Sequence, residues 1–201
     1  MGPENEGHWL VAMAASAGGL AALATVLAQL PADLPASVVV LLHRRPLRQS
    51  LLDKILARHA RMPVHLAQPG MSLAPRCVYI APADRHLIVN PDTRFAFQDG
   101  TRVRGVLSSA NRLFETAAPV FRGRMIAVVL TGTGFDATDG VQEVKARGGI
   151  VIAQNEATSE YFGMPAAAIK TGVVDHVLPL NAIGPAIVGI VTGQAVTDAV
   201  L

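Results

Sequence analysis

Short, continuous apolar runs alternate along this chain with segments of helical period, and that alternation constrains the fold more than any other feature. WLVAMAA (Trp9 to Ala15), SVVVLL (Ser37 to Leu42), MIAVVL (Met125 to Leu130) and GGIVIAQ (Gly148 to Gln154) are each too short for a typical helix. LAALATVLAQL follows the first run, and TDGVQEVKAR lies between the last two; both carry helical spacing. Strands apolar on both sides need cover on both faces, and parallel neighbours need right-handed crossovers. The expected class is therefore α/β: a doubly wound, mostly parallel sheet with helices on both faces. With 51% hydrophobic and only 16% charged residues in a chain of 201, a large core in a single domain over residues 1–201, its core about 9–192, is expected.

The middle of the chain reads differently. VHLA, CVYIA, HLIVN and RFAFQ, between Pro63 and Phe97, are divided by Pro69-Gly70, Pro75, Pro82 and Pro91-Asp92. Such punctuation predicts a small antiparallel hairpin insertion or meander. Further helices are predicted from Leu47 to Ala60, with Leu51, Leu52, Ile55 and Leu56 as a core stripe, and from a Ser108 or Ser109 cap to about Phe121. A short helix after Pro165, a last strand in VVDHVLPL and a last helix from Ala182 to Thr192 complete the pattern.

Several functions are excluded. Lys and Arg number 17 against 15 Asp and Glu, and aromatics are 4%; this gives neither the basic patch nor the stacking platforms of a nucleic-acid binder. The single Cys77 excludes an internal disulfide framework and a Cys-rich zinc site. His8, His59, His65 and His176 have no metal-ligand spacing, so no metal is expected. The start, MGPENEGH, lacks the basic and apolar regions of a signal peptide, and the apolar stretch Leu20 to Leu30 is too short to span a bilayer. A soluble cytoplasmic protein without membrane insertion is expected.

In doubly wound sheets ligands meet residues just past the carboxyl ends of the strands. Ser16 follows the first strand, His43 the second, and Asp136 lies in the turn after MIAVVLTG. A serine hydroxyl becomes nucleophilic when an imidazole takes its proton, and a carboxylate fixes the imidazole's tautomer. The trio suffices for acyl transfer, although the order Ser, His, Asp and the lack of G-x-S-x-G exclude the lipase-type hydrolase fold. Each residue also has a plainer reading: Ser16 and Asp136 as helix caps, His43 as a loop tie. Gly18-Gly19 and the Gly132-Thr133-Gly134 turn can present N–H groups to an oxyanion. The same turn, Gly132 to Ala137, matches G-x-G-x-x-A with Glu156 about 20 residues on, a dinucleotide-binding signature against which the acidic Asp136 argues. Cys77 with His86 is a further thiol–imidazole candidate, with Cys77 as a core residue the simpler reading, and Met164-Pro165 reads as a loop packed under the site.

AASAGGL (Ala14 to Leu20), LLHRRP (Leu41 to Pro46), YIAPADRHL (Tyr79 to Leu87), VVLTGTGFDATDG (Val128 to Gly140) and IAQNEATSEYFGMPAAAI (Ile152 to Ile169) are similar to segments of the CheB-type chemotaxis protein-glutamate methylesterases. The resemblance spans about Trp9 to Thr192 and covers that family's catalytic domain. It implies Ser16 as nucleophile, His43 as general base and acid, and Asp136 as orienting carboxylate. Ala17, Thr133 and Gly134 are the inferred oxyanion donors. The implied substrates are γ-glutamyl methyl esters on cytoplasmic chemoreceptor helices or a receptor-like protein, with deamidation of glutamines alongside and no cofactor. The family's usual Gly and Thr around the nucleophile are Ala14 and Ala17 here. Thr133 and Phe135 stand for Met and Asn, Arg44-Arg45 for Met-Pro, and the Arg-Pro-Ser-Val-Asp stretch has become Arg104 to Asn111. These departures bear on the substrate cleft and motivate a second reading, a catalytically weakened docking module. The few residues before the first strand do not hold the family's receiver domain, so constitutive activity or control by a separate regulatory protein is expected.

Overall fold

The sheet is built outward from β1 (Trp9–Ala15), whose residues from Leu10 on are wholly buried. The computed structural model describes residues 8–44, 51–99 and 107–194. After β1 come α1 (Gly19–Gln29), β2 (Ala36–Leu42), α2 (Leu52–Ala57), β3 (Val64–Leu66), β4 (Cys77–Ile80), β5 (His86–Val89) and β6 (Phe95–Gln98). The second half contains α3 (Ala110–Phe121), β7 (Met125–Val129), α4 (Thr138–Ala146), β8 (Ile150–Gln154), α5 (Gly163–Ile169), β9 (His176–Leu178) and α6 (Leu180–Thr192). Among the described residues, seven strands form one parallel sheet in the order β3-β4-β2-β1-β7-β8-β9, and β5 and β6 form a separate antiparallel pair.

The period-two alternation of β1 divides the core. Leu10, Ala12 and Ala14 point to α3, α4, α5 and the β5–β6 hairpin. Val11, Met13 and Ala15 point to α1, α2 and α6. Helices thus cover both faces, as the apolar runs predict. The chain works outward from β1 through β2 and returns to β1's other side with β7. The connections after β1 and β7 then leave on opposite faces, so a crevice opens between their carboxyl ends.

Three expectations need correction. VHL and CVYI are not part of an antiparallel meander: β3 and β4 pair in parallel and extend the main sheet beyond β2. Their connection, residues 67–76, is a loop held by Gly70 N–H on Phe95 O, Leu73 N–H on Thr93 O and the Tyr79 hydroxyl on Ser72 O. Prolines mark where strands stop but carry no information on the direction of the next one. The Leu47–Ala60 helix is described only as α2, residues 45–50 lying outside the described set. Its stripe is only partly core: Leu52 and Leu56 are buried, Leu51 is 56% exposed, and Ile55 faces a cavity. The last helix starts at Leu180, following the extended Pro179.

Candidate active site

Ser16, His43 and the Gly132–Asp136 turn all lie at the β1/β7 crevice and its margin. The Ser16 N–H donates to Thr131 O (3.0 Å), and the His43 N–H donates to Ala15 O (2.9 Å). Ala15 and Leu42 are paired in the parallel register, so Ser16 and His43 occupy the next positions on adjacent strands, about 5 Å apart at the backbone. Ser16 does not cap α1: Gly18, in the left-handed region at φ 73°, holds that position without a side-chain bond. The Ser16 hydroxyl makes no side-chain hydrogen bond among the described residues. It lines, with His43, Leu20, Leu42, Ile55 and Glu160, a cavity of about 830 Å³.

His43 Nε2 lies 2.9 Å from Asp136 Oδ2. With Nε2–H donated to the carboxylate, Nδ1 is the ring nitrogen left to take a hydroxyl proton. Asp136 is 4% exposed and accepts three further bonds: the Ser109 hydroxyl on Oδ1 (2.8 Å), the Ala110 N–H on Oδ2 (2.5 Å) and the Asn111 N–H on Oδ1 (3.3 Å). Burial pushes the Asp136 carboxyl up. The hydrogen bonds from His43, Ala110 and Ser109 and the charge of His43 outweigh it, and the group titrates below the usual carboxylate range. Asp136 therefore does cap a helix, but α3 and not the α4 that follows it. The cap position of α4 is Ala137, at φ 92°, and the Asp139 and Gly140 N–H groups donate to Asn111 Oδ1 at 3.0 and 2.8 Å.

The Gly-rich turn is shaped by contact. A Cβ on Gly132 would stand 2.5 Å from Met164 Sδ and 2.7 Å from Ser16 Cβ. Met164 N–H donates to Gly132 O, and Gly132 N–H to Tyr161 O, both at 2.8 Å. Met164 is thus packed beneath the turn, as the sequence suggests. The N–H groups of Ala17, Thr133 and Gly134 donate to no acceptor among the described residues; Thr133 and Gly134 are exposed, Ala17 half-buried. The Ala17 carbonyl accepts the Thr131 hydroxyl (3.1 Å), which fixes the orientation of the adjoining peptide. The dinucleotide reading fails here. Asn111 already takes the α4 N-terminal donors, Met164 and Ser16 fill the turn, and a buried carboxylate lies where a pyrophosphate would approach.

His86 and Ser109, which the sequence treats as minor, enter the network. His86 Nδ1 accepts the Ser109 backbone N–H (3.2 Å), so His86 seats Ser109. Cys77 begins β4 beside Tyr79. Ser109, His86 and Asp136 form a second Ser-His-Asp grouping, but Ser109 and His86 are 0% and 2% exposed, and the Ser109 hydroxyl donates to the carboxylate. That serine reaches no substrate. The only advance signal for it was the predicted α3 cap. Among the substituted positions, Ala14 is buried in β1, Arg44 is half-buried with Nε unpaired among the described residues, and Phe135 is 50% exposed. Arg45 and residues 104–106 lie outside the described set. Among the described residues no group of three or more His, Cys, Asp or Glu can hold a metal, and no helix is long and apolar enough to cross a membrane.

Residues 11–187 match the family model described as CheB methylesterase. The chain is 39% identical over 189 residues to the protein-glutamate methylesterase/protein-glutamine glutaminase of group 3 operon from Rhizobium meliloti (strain 1021), covering 92% of this chain and 52% of that protein. It is 39% identical over 178 residues to the protein-glutamate methylesterase FrzG of Myxococcus xanthus, covering 89% and 53%. The chain thus spans about half the length of these curated relatives. The crystal structure of the Thermotoga maritima CheB methylesterase catalytic domain superposes with a TM-score of 0.87 at 33% identity, covering 91% of this chain and 98% of that one.

Proposed function

The chain belongs to the CheB methylesterase family, and on that premise we propose that it hydrolyses glutamate γ-methyl esters through Ser16, His43 and Asp136. The observation that carries this reading is the buried His43–Asp136 hydrogen bond (2.9 Å), one strand away from a serine that opens onto the same cavity as His43.

His43 Nδ1 takes the Ser16 proton as Oγ attacks the ester carbonyl, and the imidazolium is held by Asp136 through Nε2–H. The oxyanion accepts from the Ala17 N–H and the Thr133–Gly134 turn, whose donors have no partner among the described residues. His43 returns the proton to the leaving methoxide, methanol departs, and an acyl-enzyme remains. Water, deprotonated by His43, cleaves the acyl-enzyme and releases a glutamate carboxylate. A glutamine amide follows the same path with ammonia leaving, in keeping with the glutaminase activity in the relatives' names. No step requires a cofactor. The substrates in this reading are methylated cytoplasmic helices of a chemoreceptor or receptor-like protein, and the protein acts in the cytoplasm.

Incubation with a receptor fragment methyl-labelled on its glutamates tests the reading. Release of labelled methanol is expected. Intact label, together with no fluorophosphonate adduct on Ser16, would favour the docking module over the esterase.

A further inference from the structure

We propose that Ser109 is a positioning residue of this site: its hydroxyl fixes the Asp136 carboxylate so that Oδ2 faces the His43 imidazole. This rests on the reading of His43 and Asp136 as base and orienting acid. It adds a residue that neither the spacing of the motifs nor the chemistry of the reaction requires.

The geometry runs through named contacts. Ser109 Oγ donates to Asp136 Oδ1 at 2.8 Å. Oδ1 is thereby occupied, and Oδ2 lies 2.9 Å from His43 Nε2. The Ser109 backbone cannot drift, because its N–H donates to His86 Nδ1 (3.2 Å) at the start of β5. An imidazole that accepts at Nδ1 carries its neutral-form proton on Nε2, so the hairpin presents a defined tautomer to the start of α3. This gives the β5–β6 hairpin a task at the site: it packs His86 against the residue that sets the carboxylate. Ser109 is wholly buried, so its hydroxyl has no water to fall back on.

The charged groups acting on Asp136 are His43 at the end of β2 and Glu115 on α3; Glu115 is itself paired with Arg112 and also faces Asp139 on α4. Among the described residues only His43 stabilises the carboxylate by charge. The remaining stabilisation comes from hydrogen bonds, of which Ser109 supplies the only side-chain hydroxyl among the described residues. Deleting that hydroxyl raises the proton affinity of Asp136 and frees its carboxylate to rotate away from the imidazole.

The test compares the parent chain with Ser109→Ala and Ser109→Thr. The Asp136 carboxyl is followed by carbon NMR against pH, and the rate of fluorophosphonate labelling of Ser16 is measured over the same range. Ser109→Ala is expected to raise the Asp136 midpoint by about half a unit or more. It should also slow labelling about tenfold, with the acid limb moved to lower pH because the imidazolium loses part of its carboxylate partner. Ser109→Thr, which keeps the hydroxyl, restores both. If Ser109→Ala folds and leaves the midpoint and the shape of the profile unmoved, Ser109 is structural only and the proposal fails. If the parent is not labelled at all, the esterase reading fails, and the carboxyl titration alone still decides whether Ser109 sets Asp136.

Discussion

Asn111 and Asp136 cap one another's helices. Asp136, just before α4, accepts the Ala110 and Asn111 N–H groups that open α3, and Asn111 Oδ1 accepts the Asp139 and Gly140 N–H groups that open α4. Each helix start is thus satisfied by a side chain from the other. The carboxylate facing His43 is therefore part of a joint between two packed helices, and its position is set by the fold.

Replacing Asn111 by alanine removes the α4 cap and strands two N–H groups, that of Gly140 buried and that of Asp139 partly so. A loss of about 1–2 kcal/mol is expected, read as a lower midpoint in urea denaturation. An unchanged midpoint would mean that the α4 donors find other acceptors.

Asp136→Asn should be costlier. Four donors converge on Asp136: His43 Nε2–H, the Ser109 hydroxyl and two backbone N–H groups. A carboxamide has one oxygen to offer and turns an NH₂ toward at least one donor. Esterase turnover is expected to fall about 10⁴-fold, and stability by about 2–4 kcal/mol. Full turnover in this variant would remove Asp136 from the mechanism.

Gly132→Ala separates packing from chemistry. The new methyl would press on Met164 Sδ and on Ser16 Cβ, displacing the nucleophile while every proposed catalytic group remains. A shift near an ångström is expected to cost about 10²-fold in turnover. Activity equal to the parent would show that the turn yields elsewhere.

Stability should depend on pH in two windows. Burial, and secondarily the charge of Arg124, hold His8 below its ordinary 6.5, with Nε2 on the Ser37 hydroxyl. The unfolded chain therefore binds that proton first, and stability falls as pH drops below about 6.5. Asp136 is held below 3.8, so its contribution is complete above that pH and lost as pH falls through the lower folded value. In His8→Gln the first decline should disappear from unfolding curves taken between pH 8 and 5, while the second persists in curves continued below pH 4. An unaltered first decline would assign it to another group.

Much of this was legible in the sequence. The apolar runs at Trp9 and Met125 give the central strands and so the sheet edge that carries Ser16, His43 and Asp136, of which His43 and Asp136 are hydrogen-bonded. Two parts were not legible, for physical reasons. β3 and β4 join by a loop held through tertiary contacts with the hairpin, and nothing local in residues 67–76 encodes a parallel return. Ser109, His86 and Asn111 act through bonds to residues more than 20 positions away. Local patterns show such residues only as caps or core. Leu51 was misread because helical spacing does not tell which side of a short helix faces solvent.

In the proposed mechanism the Ser16 hydroxyl is the attacking group, activated by the His43–Asp136 pair. The most direct measurement is methanol release from a methyl-labelled receptor fragment by the parent and by Ser16→Ala at equal concentration. A fall of about 10⁴-fold or more in the variant, with its folding unchanged, is the expected result; release at the parent's rate would rule out Ser16 as the attacking group.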